Sequence, residues 1–421
     1  MVSDKWKENL PPTTYHSPLS TMTYSLYLHI PFCRHRCAYC DFNTYAGQDD
    51  SLPAYVNALC NEIKATGSSI SSRERVGDEG SVATIFFGGG TPSLLTVTHY
   101  QDIFQNIFEH FTVSPEAEIS LEANPGTVSP EYLKSLRKIG FNRISYGVQS
   151  TNPLELRMLE RIHGYGDVVD AVRWSRAAGF ENLNLDLIYG LPEQTLESWQ
   201  RTVKLVVGLR PEHLSAYALT LEHGTPFGRW AAKGLLPIPD PDLAADMYEW
   251  TMDFLAGEGY VQYEISNWAR ENSKFQCRHN LQYWRNLNYL GLGAGAHGYA
   301  DGVRYSNVLR IKTYIDRLSP PLPSSVFPLS PAVVNHHRNT PREDMAETMM
   351  TCLRLTLEGV TDETFRARFG LGLLDAYPQE IKKMTSLGLL EWHPPAPGAK
   401  TLRLTRHGRL LGNQVFMQFL D

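Results

Sequence analysis

Cysteine is scarce in this chain, with six in 421 residues, too few for a disulfide scaffold. Long apolar runs are missing as well: none approaches the roughly 20 residues of a membrane-spanning helix, so no integral membrane segment is expected. Positive charge is not in excess. Lys and Arg number 39 against 45 Asp and Glu, a formal net charge of −6, and no block of like charge occurs. Phosphate contacts need clustered Lys and Arg, so nucleic acid is not an expected partner. There is no internal repeat and no low-complexity tract. Residues 1–23 mix Lys5, Lys7, Glu8 and paired prolines with hydroxyl residues and lack the apolar core of a signal peptide. They read as a loose extension, with Met22 as an alternative start, and a cytoplasmic, reducing location is expected.

What is present is an ordinary globular composition, 42% hydrophobic and 20% charged. From Tyr24 to Ala218 short apolar runs alternate with longer amphipathic ones. Strands are predicted over 24–30, 82–87, 117–121, 143–148, 183–187 and 213–217, and helices over 52–65, 98–111, 130–139, 166–178 and 196–207. Gly140 and Gly179 stand where helices should stop. Strict alternation predicts a parallel sheet with right-handed crossovers. Six strands are two short of a closed eight-stranded barrel. The expected fold class is therefore α/β, an incomplete (β/α)6 barrel over 24–222, with a doubly wound open sheet as the alternative from pattern alone.

Past Glu222 the pattern changes. Pro237, Pro239 and Pro241 punctuate a linker, 243–255 reads as a helix, and an aromatic stretch over 260–289 precedes a glycine-rich loop over 291–298. Residues 223–320 are expected to extend the barrel. Pro320, Pro321 and Pro323 mark a second boundary. Over 321–421, helices at 343–357 and 376–387, a hairpin of 389–392 with 401–404 and a final helix at 409–419 predict an α+β, winged-helix-like domain. Its balanced charge argues against DNA.

The segment His29-Ile-Pro-Phe-Cys33-Arg-His-Arg-Cys37-Ala-Tyr-Cys40 places three thiols on a loop just past the first strand. Iron–sulfur clusters are held by thiolates, usually four, so three leave one iron open. Arg34 and Arg36 are expected to favour the thiolate form. The competing chemistry is a structural zinc site with His29 or His35 as fourth ligand, though no second ligand pair is visible elsewhere. Other marked residues fall at strand ends, where such barrels bind ligands: Gly88-Gly89-Gly90-Thr91 after the second strand, Glu122 at the third, Gln149 after the fourth and Asp186 near the end of the fifth. Cys60 and Cys352 sit on apolar helix patterns and read as core.

Cys-x3-Cys-x2-Cys at the end of a first strand resembles the signature of the radical S-adenosylmethionine (SAM) superfamily. That resemblance implies a [4Fe–4S] cluster held by Cys33, Cys37 and Cys40, whose open iron takes the amino and carboxylate groups of SAM. Phe87-Gly-Gly-Gly-Thr-Pro92, Glu122-Ala-Asn-Pro125, Ser145-Tyr-Gly-Val-Gln-Ser150, Leu159-Glu-Arg-Ile-His-Gly164 and Asp186-Leu-Ile-Tyr-Gly-Leu-Pro192 resemble the HemN-like group within it. The family pattern implies SAM contacts from Tyr27, Tyr39, Gly89, Gly90, Thr91, Glu122, Gln149, Arg161 and Asp186.

This group holds oxygen-independent coproporphyrinogen dehydrogenases and heme chaperones. The dehydrogenases carry a fourth cysteine two residues beyond the third, where this chain has Phe42. His279-Asn-Leu-Gln-Tyr283-Trp284 matches the His-Asn-x-x-Tyr-Trp element of the heme-chaperone branch. A neutral imidazole is a good axial ligand for heme iron, and on a helix Tyr283 would lie one turn from His279 on the same face. The resemblance therefore implies a heme carrier with His279, Tyr283 and Trp284 at the heme, handing heme to an acceptor protein and able to form a homodimer. Coproporphyrinogen oxidation is the alternative. Cys277 and His297 are secondary ligand candidates, and core packing is the bland reading of the aromatic run. Gly293-x-Gly295-x-x-Gly298 spells a dinucleotide fingerprint, which is discounted because no clear strand precedes it, no helix pattern comes after it and Asp301 comes too soon.

Overall fold

The computed structural model describes residues 23–71, 81–270, 273–322, 327–393 and 400–420. The predicted extension up to Met22, and Pro323, lie outside the described residues. Six strands alternate with helices as the pattern requires: β1 (Tyr24–Ile30), then, beyond two short strands β2 (Phe32–Cys33) and β3 (Tyr45–Ala46), β4 (Ser81–Gly89), β5 (Thr112–Ala123), β6 (Arg143–Gln149), β7 (Leu183–Tyr189) and β8 (His213–Ala218). The helices after β3 are α1 (Leu52–Ser71), α2 (Val97–His110), α3 (Pro130–Lys138), the short α4 (Pro153–Met158), α5 (Tyr165–Ala177) and α6 (Leu196–Gly208). β1, β4, β5, β6, β7 and β8 pair in that order, all parallel, as right-handed β–α units demand. The architecture is the incomplete (β/α)6 barrel expected.

Alternation along each strand divides two environments. Ile85 and Phe87 face the helices, where the Phe87 ring meets Tyr100 at 5.1 Å and Phe104 at 5.6 Å on α2. Thr84, Phe86 and Gly88 face inward: Thr84 donates to Ser25 Oγ at 2.7 Å and Phe86 stacks on Tyr27 at 6.3 Å. The inner face thus carries the polar and titratable side chains.

The sheet is longer than six strands. β9 (Val261–Glu264) and β10 (Asn267–Ala269) extend it beyond β8, and β11 (Tyr289–Leu292), β12 (His297–Ala300), β13 (Val303–Asn307) and β14 (Val333–Arg338) extend it beyond β1. The 291–298 stretch, expected as one loop, is a strand, a turn and a returning strand. β11 runs parallel to β1 from Ser25↔Tyr289 to Leu28↔Leu292. Its glycines reflect crowding rather than looseness, since a Cβ on Gly291 would stand 1.8 Å from the His297 carbonyl oxygen. A strand therefore does precede Gly293, contrary to expectation. The next element is another strand, so the fingerprint still has no helix N-terminus to bind a phosphate.

Three more helices pack around this unit, α7 (Pro226–Ala232), α8 (Pro241–Gly257) and α10 (Ile311–Arg317), while α9 (Arg278–Trp284) makes contact with β4. A separate core gathers Met349, Phe365, Tyr377, Ile381, Leu402 and Phe419. It is built on α11 (Pro341–Cys352), α12 (Asp362–Phe369) and a three-stranded sheet of β15 (Val360–Thr361), β16 (Leu390–His393) and β17 (Thr401–Leu404). The predicted hairpin is present, with β16 antiparallel to β17. The final helix is broken into Arg406–Leu410 and Gly412–Phe416 at Leu411, whose backbone leaves the helical region at φ −110° and ψ 21°.

Candidate cluster and cofactor site

The cysteine loop leaves β1 at Ile30 and is tied at its base by pairing of β2 with β3, Phe32 opposite Tyr45. The glycine run at the end of β4 lies against it. Gly90 N–H donates to the Ile30 carbonyl and Thr91 N–H to the Phe32 carbonyl, both at 2.8 Å. No side chain fits there. A Cβ on Gly90 would stand 2.6 Å from the Phe32 oxygen, and Gly89, at φ +109°, would drive one into the His29 ring at 2.5 Å. On the other flank Gly293 and Gly295 crowd His29 and Asn43 in the same way, and Asn43 Nδ2 donates to the Ala294 carbonyl at 3.0 Å.

Cys33 is buried, while Cys37 and Cys40 are half-buried. Each of the three sulfurs has a hydrogen-bonding neighbour: Thr91 Oγ1 lies 3.5 Å from Cys33 Sγ, Arg161 Nη1 lies 3.7 Å from Cys37 Sγ and Thr44 Oγ1 lies 3.9 Å from Cys40 Sγ. Burial raises the Cys33 pKa, offset in part by the Thr91 bond and by Arg161, and burial likewise raises that of Cys40. The arginine that bears on Cys33 and Cys37 is thus Arg161. This corrects the expectation for Arg34, which is exposed. Arg36 donates to the Cys40 and Phe42 carbonyls at 3.4 and 3.5 Å, and its charge works against burial at the Cys40 thiol, as expected of it.

The donor set fits an iron–sulfur cluster: three thiols on one loop, each sulfur with a neighbour that stabilises thiolate charge. It does not fit Cys3His zinc. His29 is closed on both ring nitrogens, by Tyr27 Oη and the Asn43 carbonyl, each at 2.9 Å, and His35 Nε2 pairs with Glu160 at 3.1 Å. Among the described residues no three His, Cys, Asp or Glu side chains are gathered as ligands of a single metal ion.

The other marked residues line the same end of the barrel. Cys37, Thr91, Asn124, Arg161, His35 and His163 share one cleft. Glu122 accepts from Gly89 N–H at 3.0 Å, and burial followed by the charge of Asp186 pushes its pKa up to about 7. Asp186 accepts from Ser145 at 2.8 Å and Asn184 at 2.7 Å, and burial raises its pKa too. Gln149 holds φ +67° where the β6–β7 register shifts, a strained backbone of the kind that clusters at ligand sites. Tyr39 packs on Phe227 with centroids 6.5 Å apart, and burial raises its pKa.

His279 lies deeper in the barrel, its ring 6.4 Å from that of Tyr27. α9 enters the inner face, where Glu118 on β5 accepts from the N–H groups of Arg278 and His279, both at 3.1 Å, at the helix's positive end. The His279 ring is 1% exposed and stacks on Phe86 at 4.9 Å. Its Nδ1 is bonded to Thr84 Oγ1 at 2.7 Å and its Nε2 to Tyr283 Oη at 2.8 Å. Burial, then Arg143, lowers its pKa to about 3. Tyr283 is on the expected face. Trp284 is not with them: it joins Leu281 and Phe275, and Arg354 lies 5.2 Å over its ring. Cys277 is buried with its thiol pushed up to about 12, and His297 is exposed on β12. Sequence reasoning missed Glu118, Thr84 and Asn124. The first two carry no motif, only inward register.

Known proteins share this architecture. The radical SAM superfamily profile matches residues 27–206, and the HemN C-terminal domain profile matches residues 339–411. Heme chaperone HemW of Bacillus subtilis is 38% identical over 397 residues, covering 94% of this chain and 99% of that protein. Heme chaperone HemW of Mycobacterium tuberculosis is 35% identical over 409 residues, covering 96% of each. Among solved structures, Escherichia coli coproporphyrinogen III oxidase (HemN), a radical SAM enzyme, superposes with a TM-score of 0.78 at 25% identity, covering 95% of this chain and 90% of that one. Matching the radical SAM and HemN C-terminal profiles, and at least 35% identical along nearly its whole length to these two heme chaperones, the chain belongs to the HemW family of radical SAM proteins.

Proposed function

We propose that this protein is a cytoplasmic heme chaperone, which binds heme through His279 and passes it to an acceptor protein. The observation that carries the reading is the end-to-end likeness to proteins named heme chaperone HemW, 99% of the Bacillus subtilis protein being matched. No helix among the described residues is long and apolar enough to cross a membrane. Phe42, 67% exposed where the coproporphyrinogen dehydrogenases have a fourth cysteine, supports the carrier over the enzyme. The test uses protein reconstituted anaerobically with iron and sulfide, given SAM and dithionite, and offered heme and coproporphyrinogen III separately. Stoichiometric heme binding with delivery to an apo-acceptor is expected. Protoporphyrinogen formation at enzymatic rates would overturn the reading.

Cys33, Cys37 and Cys40 would hold a [4Fe–4S] cluster whose open iron binds the amino and carboxylate groups of SAM. Around it Tyr27, Tyr39, Gly89, Gly90, Thr91, Glu122, Gln149, Arg161 and Asp186 would form the SAM site. The glycines let backbone approach the ligand, and Arg161 supplies a cation for its carboxylate. Glu122 makes this reading sensitive to pH. Its pKa is raised to about 7, by burial first and Asp186 second, with the Gly89 N–H and Arg143 opposing. The group is neutral below that value and ionised above it. SAM carries a sulfonium and an ammonium against one carboxylate, so the ionised form attracts it. SAM affinity is expected to rise about tenfold between pH 6 and pH 8, and Glu122→Gln to flatten the rise in equilibrium dialysis.

A further inference from the structure

Asn124 belongs to no role assigned so far, yet it stands between two of the sulfurs. It follows β5 by one residue, and its amide is used at both ends. Nδ2 donates to Thr91 Oγ1 at 3.1 Å, and Thr91 in turn donates to Cys33 Sγ at 3.5 Å. Oδ1 accepts from Arg161 Nη2, while Arg161 Nη1 reaches Cys37 Sγ at 3.7 Å. One planar amide therefore fixes the hydroxyl that addresses Cys33 and the guanidinium that addresses Cys37. The position is itself fixed, because Thr127 N–H and Oγ1 both donate to the Asn124 carbonyl, at 3.0 and 2.7 Å. Arg161 also donates to the Gly147 carbonyl, so among the described residues its side-chain acceptors are Asn124 and the cysteine sulfur.

We propose that Asn124 is a positioning residue that tunes the iron–sulfur cluster, holding the Thr91 hydroxyl and the Arg161 guanidinium on the sulfurs of Cys33 and Cys37. The proposal rests on the reading of those cysteines as cluster ligands. Hydrogen bonds to ligating sulfurs set cluster potentials. Reduction adds negative charge, which these donors stabilise, so they raise the potential. Without Asn124 both donors lose their orienting partner, and the reduced state loses its stabilisation. Loss of Asn124 leaves Arg161 Nη2 with the Gly147 carbonyl as its remaining acceptor among the described residues, so the guanidinium is held at one point instead of two in the cleft it shares with Asn124.

The experiment is a redox titration, followed by electron paramagnetic resonance, of the full chain reconstituted anaerobically with iron and sulfide. In Asn124→Ala, the ratio of reduced to oxidised cluster at the parent's midpoint should fall at least threefold, with iron and sulfide content retained. The same substitution in a Thr91→Val background should give a smaller fall, because one of the two arms is already absent. Asn124→Asp keeps the acceptor for Arg161 and loses the donor to Thr91. It guards against failure of the alanine variant to fold, and should again lower the reduced fraction, by less in the Thr91→Val background. An Asn124→Ala protein with the parent's midpoint and signal overturns the proposal, as does a fall equal in both backgrounds. A parent free of iron and sulfide overturns instead the cluster reading beneath it.

Discussion

His279→Ala is expected to weaken heme binding at least tenfold, read from the Soret band on titration with hemin under reducing conditions. An axial imidazole is the main bond a protein offers heme iron, so its removal should dominate every other substitution near the site. The geometry adds a kinetic expectation. Both ring nitrogens are occupied, by Thr84 and Tyr283, and the ring lies 1% exposed against Phe86. Heme can reach Nε2 only once the Tyr283 bond opens and α9 shifts from the inner face. Tyr283→Phe should therefore speed heme association while leaving the ligand in place. The pH response follows from the depressed pKa of about 3, caused by burial and then Arg143. The imidazole stays neutral, so heme affinity should be level from pH 8 down to pH 5, where an exposed histidine would already compete with protons. Stability bears the opposite mark. The unfolded chain takes up the proton below about 6.5 and the folded chain does not, so this group's contribution is complete above that pH and declines as pH falls toward 3. Unchanged heme affinity in a folded His279→Ala protein would move the ligand elsewhere, with Cys277 and His297 next to be replaced.

Residues whose chemistry is local were legible in the sequence, and those that act across the fold were not. β1 spans the residues predicted for it, because Leu26, Leu28 and Ile30 alternate with Ser25, Tyr27 and His29 in the period of two that a strand requires, with Pro31 after them. β11 was hidden, because Gly291 interrupts its apolar pattern, and the reason for that glycine, the His297 carbonyl, is six residues further on and visible only after the chain has folded back. The three thiols announced themselves by spacing. Their charge partners did so only in part: Arg36, a neighbour in sequence, acts on Cys40, but the cation at Cys37 comes from Arg161, 124 residues away. Helical period placed Tyr283 beside His279 correctly. It had no means of finding Thr84 and Glu118, which reach the same helix from strands β4 and β5.

Cys37→Ala should remove the iron–sulfur chromophore almost wholly, leaving less than about a tenth of the parent's iron and sulfide after anaerobic reconstitution. Ligand number decides this. Three thiolates already leave one iron of a four-iron cube without a protein ligand, and a second vacancy exposes an adjacent corner to solvent and to loss. Cys37 is the telling choice because Arg161 faces its sulfur. Arg161 is held by Asn124 and Gly147 whatever stands at position 37, so the variant keeps a fixed cation beside the former ligand and nothing for it to neutralise. Cys60 and Cys352, on helices and outside the loop, serve as controls: replacing either by serine should leave iron and sulfide at the parent level. Heme binding separates the two centres. His279 is bonded to Thr84 and Tyr283 rather than to any residue of the cysteine loop, so Cys37→Ala should bind heme within about twofold of the parent while failing to hold SAM. Retention of full iron and sulfide in Cys37→Ala would break the assignment of the three thiols. Loss of heme together with the cluster would instead mean that α9 answers to the cluster, and that the two sites are one coupled unit.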